Sequence, residues 1–370
     1  MDSNFINEIF NKMLELDTSD VYITSGKPPM HRKMDSFIEH EKAILNGENV
    51  LFLARNLLNN IQYEEFLEKL EFNIAIDWQN KSRFRINFFY QQLLPGMVIR
   101  RVRNEIPTIE SLNLPYIYSK IILKKKGLIL ISSPSGTGKS TSVAAMLNYR
   151  NDNGYGHIIT IEDPIEYVHS HKNCIFTQRE IGIDTLSYDE ALKNALRQRA
   201  DVIFIGEIRD KKTMDYAINF AETGHLCIAT IHSNNTSQAI FRILNFYSEE
   251  THKHILYNLS VNLEAILSQK LIKNNNGDKS LATEILLNLG VIKKLILEGK
   301  INEIRDILDK QVDQGMQSFD YCLYELHKSG KVSEEEALFH ADNPGNLKLK
   351  ILQNNANIIL PLNNDPNKIF

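Results

Sequence analysis

Apolar residues recur at helical spacing at the start of the chain, at Phe5, Ile6, Ile9, Phe10, Met13, Leu14 and Leu16, and predict an opening helix. Asp17-Thr-Ser-Asp20 breaks that pattern. Val21-Tyr-Ile-Thr24 then reads as a strand, closed by the turn-forming Ser25-Gly-Lys-Pro-Pro29. Residues 50–58 and 63–70 return to a helical period, whereas 72–78 and 83–90 alternate apolar and polar positions as half-buried strands do. The expectation is a small mixed α/β domain over residues 1–104, followed by a linker over 105–118 that carries Pro107 and Pro115.

The pattern then changes to continuous apolar runs separated by helical stretches. Leu128-Ile-Leu-Ile131, His157-Ile-Ile-Thr-Ile161, Asp201-Val-Ile-Phe-Ile205 and His225-Leu-Cys-Ile-Ala-Thr-Ile231 read as strands buried on both faces. Between them, Ser187 and Glu190 form a capping box that opens a helix running to Arg199. Another helix spans 210–223 and stops at Gly224. Strands alternating with helices predict an α/β domain with a mainly parallel sheet covered by helices, over residues 119–352. Ligands of such sheets bind at the carboxyl ends of the strands. Strand signals fade from about Leu244, and the chain is expected to be helical from there to about Ala341, with amphipathic spacing at 292–298 and 319–328. The Asn-rich residues 353–370 are expected to be a flexible tail.

One strand leads directly into candidate chemistry. After Leu128-Ile-Leu-Ile-Ser comes Ser133-Pro134-Ser135-Gly136-Thr137-Gly138-Lys139-Ser140-Thr141, a small-residue loop followed by a helical pattern. That is the context of a phosphate-binding loop. Its successive backbone N–H groups and the positive end of the helix cradle phosphates. Lys139 is placed to reach the β and γ oxygens of ATP, and Ser140 to offer its hydroxyl to Mg²⁺. Ser133 stands where the usual pattern has glycine. If the loop needs a positive φ there, serine adopts it at a cost of about 1 kcal/mol.

Hydrolysis also needs carboxylates near the metal and the attacking water. Two candidates fall at strand ends: Glu162 with Asp163, and Glu207, which follows four apolar residues as a Walker B acid does. His225 and His232 bracket the next strand; each is either a structural histidine or a functional one, and the functional reading of His232, at the end of the strand, is a sensor of the γ-phosphate. Arg83, Arg85, Arg100, Arg101 and Arg103 cluster just before the linker. They form either a solvated strand face or a basic edge that supplies arginine fingers.

Composition narrows the class. The 370 residues are 43% hydrophobic and 24% charged, which are globular values sufficient for two or three cores. Net charge is −4, without the basic excess of a dedicated nucleic-acid binder. The three cysteines, Cys174, Cys227 and Cys322, are far apart and form no metal or disulfide pattern. No apolar run reaches the length of a membrane span, and the first residues lack a signal-peptide pattern. The expectation is a cytoplasmic protein without direct membrane insertion.

The strings Ile158-Ile-Thr-Ile-Glu-Asp-Pro-Ile-Glu-Tyr-Val-His169, Gln178-Arg-Glu-Ile-Gly182, Ala195-Leu-Arg-Gln198, Ile205-Gly-Glu-Ile-Arg-Asp210 and Ala221-Glu-Thr-Gly-His-Leu226 resemble the secretion ATPase superfamily that drives type IV pili and type II secretion. Within it the chain is similar to the pilus retraction ATPases of the PilT/PilU type. Asn148-Tyr-Arg150, His225-Leu-Cys227 and Ala341-Asp-Asn-Pro-Gly-Asn-Leu-Lys-Leu-Lys350 look closer to the accessory branch. The resemblance implies a PAS-like N-terminal domain, a RecA-like P-loop ATPase domain and a homohexamer holding ATP and Mg²⁺ between the two domains. It makes Glu162 the general base, Glu207 the Walker B acid, His225 and His232 the histidine box, and Arg100 and Arg83 the first candidates for fingers. It also implies partners: an inner-membrane pilus platform protein that the ring turns from the cytoplasmic face, and a paralogous retraction ATPase.

Overall fold

The computed structural model describes residues 4–33, 36–40, 44–79, 81–102 and 105–359, with side chains up to 353. Arg103 and the end of the tail lie outside the described residues. The contacts divide the chain into two units. One comprises residues 1–106, 162–170 and 178–191, the other residues 107–161, 171–177 and 192–370.

The first unit opens with α1 (Phe5–Leu16), then β1 (Asp20–Thr24), β2 (Met30–Lys33) and β3 (Ser36–Glu39). Helices α2 (Gly47–Leu57) and α3 (Asn60–Lys69) follow, and then β4 (Glu71–Trp78), β5 (Ser82–Gln91) and β6 (Leu94–Val102). The six strands form one antiparallel sheet in the order β3-β2-β1-β6-β5-β4. The apolar stripe of α1 closes its core: Ile9, Phe10 and Met13 are buried, and the Phe10 ring stacks on Phe84 at 4.3 Å. Asn46 and Asn59 cap α2 and α3, each accepting from the amide three residues on.

The remaining elements are α4 (Ile117–Ile122), β7 (Gly127–Ser132), α5 (Lys139–Asn153), β8 (Gly156–Glu162), β9 (Cys174–Glu180), α6 (Tyr188–Ala195), β10 (Val202–Ile205), α7 (Lys211–Glu222) and β11 (Leu226–Ile231). Then come α8 (Thr236–Leu244), α9 (His252–Asn262), β12 (Leu263–Lys273), β13 (Lys279–Leu287), α10 (Gly290–Leu297), α11 (Arg305–Leu308), α12 (Phe319–Lys328), α13 (Glu334–His340) and α14 (Pro344–Ile359). The second sheet runs β13-β12-β7-β11-β10-β8-β9. β8, β10, β11, β7 and β12 are mutually parallel neighbours, and every residue of β7, β10 and β11 is buried, which is why their sequences are unbroken apolar runs.

The sequence departs from the structure beyond Leu244. Residues 263–287, expected to be helical, form an antiparallel hairpin in which β12 also pairs with β7 and so extends the sheet. A short buried apolar run has no periodicity that separates strand from helix. The turn at Asn274-Asn-Asn-Gly277, with Gly277 at φ +88°, is what makes these residues a hairpin.

Candidate active site

The second unit builds the site from β7 outward. The buried strand ends at Ser132, the chain turns through residues 133–138, and α5 begins at Lys139. Gly136 and Gly138 have φ of +77° and +88°. A Cβ built on either meets nothing within 4 Å, so the left-handed backbone, not crowding, requires glycine at both. Ser133 is not among the residues with positive φ, so the strain considered for serine at this position does not arise. Its hydroxyl is instead a fastener. Ser133 Oγ accepts from the Gln269 amide of β12 at 3.0 Å and donates to the Ser132 carbonyl, while the Ser133 amide donates to Ile231 of β11 at 3.2 Å.

Lys139 is 9% exposed, and its ammonium turns into the loop, donating to the carbonyls of Ser133 and Pro134, both at 2.7 Å. Thr137 Oγ1 donates to Pro134 O at 2.9 Å. Ser140 and Thr141 follow in the first turn of α5, half-buried. A loop with two left-handed glycines, an inward lysine and a helix start is chemically suited to polyphosphate: the donors are preset and a cation stands among them. A cleft of about 900 Å³ opens beside it, lined by Thr137, Gly138 and Thr141 on one side and by Leu281, Cys322 and Leu326 on the other.

Glu207 lies two residues past the end of β10, with Gly206 still bonded to Ile161 of β8 at 2.8 Å. Its carboxylate has two partners: His232 Nε2 is 3.0 Å from one oxygen, and Arg209 Nε donates to the other at 2.7 Å. A carboxylate only accepts, so Nε2 is the ring nitrogen that donates. His232 directly follows β11, and Ser233, the next residue, shares a hydroxyl contact with Ser132 at the end of β7. The ends of β7, β10 and β11 therefore bring the phosphate loop, Glu207 and His232 to one edge of the sheet. His225 does not join them. It precedes β11, about 20 Å away along a six-residue strand. There its Nδ1 lies 3.0 Å from Thr223 Oγ1 and 3.2 Å from the Phe220 carbonyl. The two histidines bracket β11, and only His232 stands at its carboxyl end.

Glu162 and the arginines belong to the first unit. Glu162 is the last residue of β8, 9% exposed, with Gln178 Nε2 3.4 Å from Oε1. Arg100 donates to Asp20 at 2.7 Å, Arg101 to Asp17 at 2.8 Å and Arg85 to Glu180 at 3.0 Å, and Arg83 lies 3.7 Å from Asp77. Each of these four arginines thus has a carboxylate partner within its own unit. Sequence reasoning passed over Ser233 and Gln269. The polar pair Ser132-Ser133 and the polar Ser268-Gln-Lys270 within β12 were the available signals.

A parallel sheet with a phosphate loop after one strand, an acid after a second and a histidine after a third defines a P-loop nucleotide hydrolase. Residues 3–289 match the type II/IV secretion system protein family, and the chain belongs to that family. It is 45% identical over 345 residues, 93% of this chain and 90% of the relative, to the type IV pilus ATPase PilU of Pseudomonas aeruginosa. It is 36% identical over 341 residues, 92% of this chain and 99% of the relative, to the type IV pilus retraction ATPase PilT of the same organism. The crystal structure of the pilus retraction motor PilT with bound ADP superimposes with a TM-score of 0.86 at 34% identity, covering 92% of this chain and 98% of that one. Among the described residues, no helix is long and apolar enough to cross a membrane.

Proposed function

We propose that this chain is the subunit of a homohexameric ATP-hydrolysing motor that powers type IV pilus retraction by turning an inner-membrane platform protein from the cytoplasmic side. The observation that carries it is the Glu207–His232 pair held beside the phosphate loop in a chain alike, over more than nine-tenths of its length, to pilus ATPases. The backbone N–H groups of residues 135–138 and the Lys139 ammonium hold the β and γ phosphates; Pro134 has no N–H, and that of Ser133 is spent on Ile231. Ser140 and Glu207 would hold a Mg²⁺ ion, which would supply charge neutralisation to the phosphates. Glu162 takes a proton from the attacking water as the water oxygen bonds the γ-phosphorus, and the electron pair of the broken P–O bond leaves on ADP. His232, already bonded to Glu207, exchanges that partner for the γ-phosphate and so reports its presence to the strand it ends. Arg83 and Arg100 supply positive charge to the transition state after release from Asp77 and Asp20; each of those pairs leaves one partner largely solvent-exposed and is weak enough to break.

A second reading is that the ring works as an accessory, weakly active partner of a paralogous retraction ATPase. The higher identity to PilU than to PilT favours it. Steady-state Mg²⁺-ATP hydrolysis by the intact chain, with its mass in solution measured on the same sample, separates the two. Hexamers whose turnover Lys139→Ala reduces about 10³-fold or more support the self-sufficient motor. Hexamers that bind ATP and hydrolyse it only when a paralogue is added support the accessory role, and a monomer with no nucleotide binding removes both.

A further inference from the structure

We infer that Gln178 is the positioning residue that aims the Glu162 carboxylate at the reacting water, an inference that rests on reading Glu162 as the general base. The amide of Gln178 has no freedom to flip. Its Oε1 accepts from the His169 amide at 2.7 Å, and its Nε2 donates to the Tyr167 carbonyl at 2.9 Å. These two main-chain bonds fix which end is oxygen and which is nitrogen, and so turn the remaining N–H toward Glu162 Oε1 at 3.4 Å.

The residues around Gln178 hold the whole segment for this purpose. Gln178 and Glu180 occupy alternate positions of β9 and so share one face of it. Glu180, 1% exposed, accepts from the Ile165 amide at 3.2 Å and from Arg85 Nε at 3.0 Å. The Ile181 amide donates back to the Glu162 carbonyl at 2.9 Å. Residues 162–169 are therefore bound to the side chains of Gln178 and Glu180 and to the backbone of Ile181, and Glu180 ties β9 to Arg85 of β5. Glu162 ends β8, so loss of its amide donor frees the carboxylate rather than the backbone, and a misplacement of about an ångström is enough to lower a rate tenfold or more.

The test compares Gln178→Glu and Gln178→Met in the intact chain, with Glu162→Gln alongside. Gln178→Glu keeps the shape and an oxygen for His169 but replaces the donor with a second carboxylate oxygen; Gln178→Met removes both functions. Both are expected to lower kcat by about tenfold or more while leaving KM for ATP and Kd for ADP within about threefold of the parent, a split that simple unfolding does not produce. Either folded variant with kcat within about threefold of the parent overturns the inference, and so does a loss of ADP binding in step with turnover. If the methionine variant fails to fold, the isosteric glutamate variant decides alone. Glu162→Gln separates the two layers. Turnover that survives it removes the general-base reading and the inference with it, whereas turnover abolished by it but untouched at Gln178 removes the inference alone.

Discussion

At the scale of single residues, Ser133 is where chemistry read from sequence and chemistry read from structure diverge. The motif identifies the loop, because Gly136, Gly138 and Lys139 occupy positions whose roles are local: two left-handed dihedrals and one ammonium. A Gly-to-Ser change at the first position reads as strain from sequence alone. In the fold its hydroxyl accepts the buried Gln269 amide instead. Ser133→Gly is therefore expected to weaken the protein, by about 1–2 kcal/mol for the orphaned N–H, without improving affinity for ADP. Urea unfolding and ADP titration check this, and tighter binding in the variant would restore the strain account. The strand-end positions of Glu162, Glu207 and His232 were legible for the same local reason, each being polar at the end of an apolar run. Gln178 was not, because its role depends on the carbonyl of Tyr167 and the amide of His169, which only the folded loop presents.

At the scale of elements, the strands of the parallel sheet and the opening helix were legible because each carries its period or its run within a few residues. The β12–β13 hairpin was missed because its strands are defined by partners: β7 on one side and each other. The hairpin also delivers Glu284, a carboxylate 3% exposed, to the start of two helices. Its Oε1 accepts from both the amide and the hydroxyl of Thr236, the first residue of α8, at 2.8 Å, and its Oε2 from the amide of Phe319, the first residue of α12, at 3.4 Å. Burial raises the pKa of this carboxyl above the usual carboxylate range, opposed by the Thr236 bonds. Glu284→Ala removes the acceptors shared by two helix starts and is expected to lower stability by about 3 kcal/mol or more. Glu284→Gln keeps one oxygen and is expected to lose less than half of that. Chemical denaturation of the two variants checks the order, and equal losses would mean that packing, not capping, is what Glu284 provides.

At the scale of the molecule, the two units are not continuous in sequence: residues 162–170 and 178–191 group with the N-terminal sheet, although the alternation of strand and helix assigns them to the nucleotide domain. The N-terminal unit also carries a pH response. His31 is fully buried with Nε2 2.9 Å from His40 Nδ1, and burial first, then His40 and Lys12, lower its pKa from 6.5 to about 4. The unfolded chain binds the proton at higher pH than the folded one, so this stability is complete above pH 6.5 and is lost as pH falls toward about 4. Unfolding free energies from urea titrations are expected to fall between pH 7.5 and 5 by on the order of 2 kcal/mol more for the parent than for His31→Gln. Parallel curves would show that the histidine pair contributes nothing. What the sequence determined by itself is whatever short-range physics specifies: the phosphate loop, the buried strands, the opening helix and the identity of the acids and the histidine at strand ends. Tertiary structure decided which histidine reaches the site, what Ser133 holds, where the hairpin pairs and which amide steers Glu162. Those outcomes depend on groups far apart in the chain, whose meeting is fixed by sheet order and burial and by no pattern within a window of sequence.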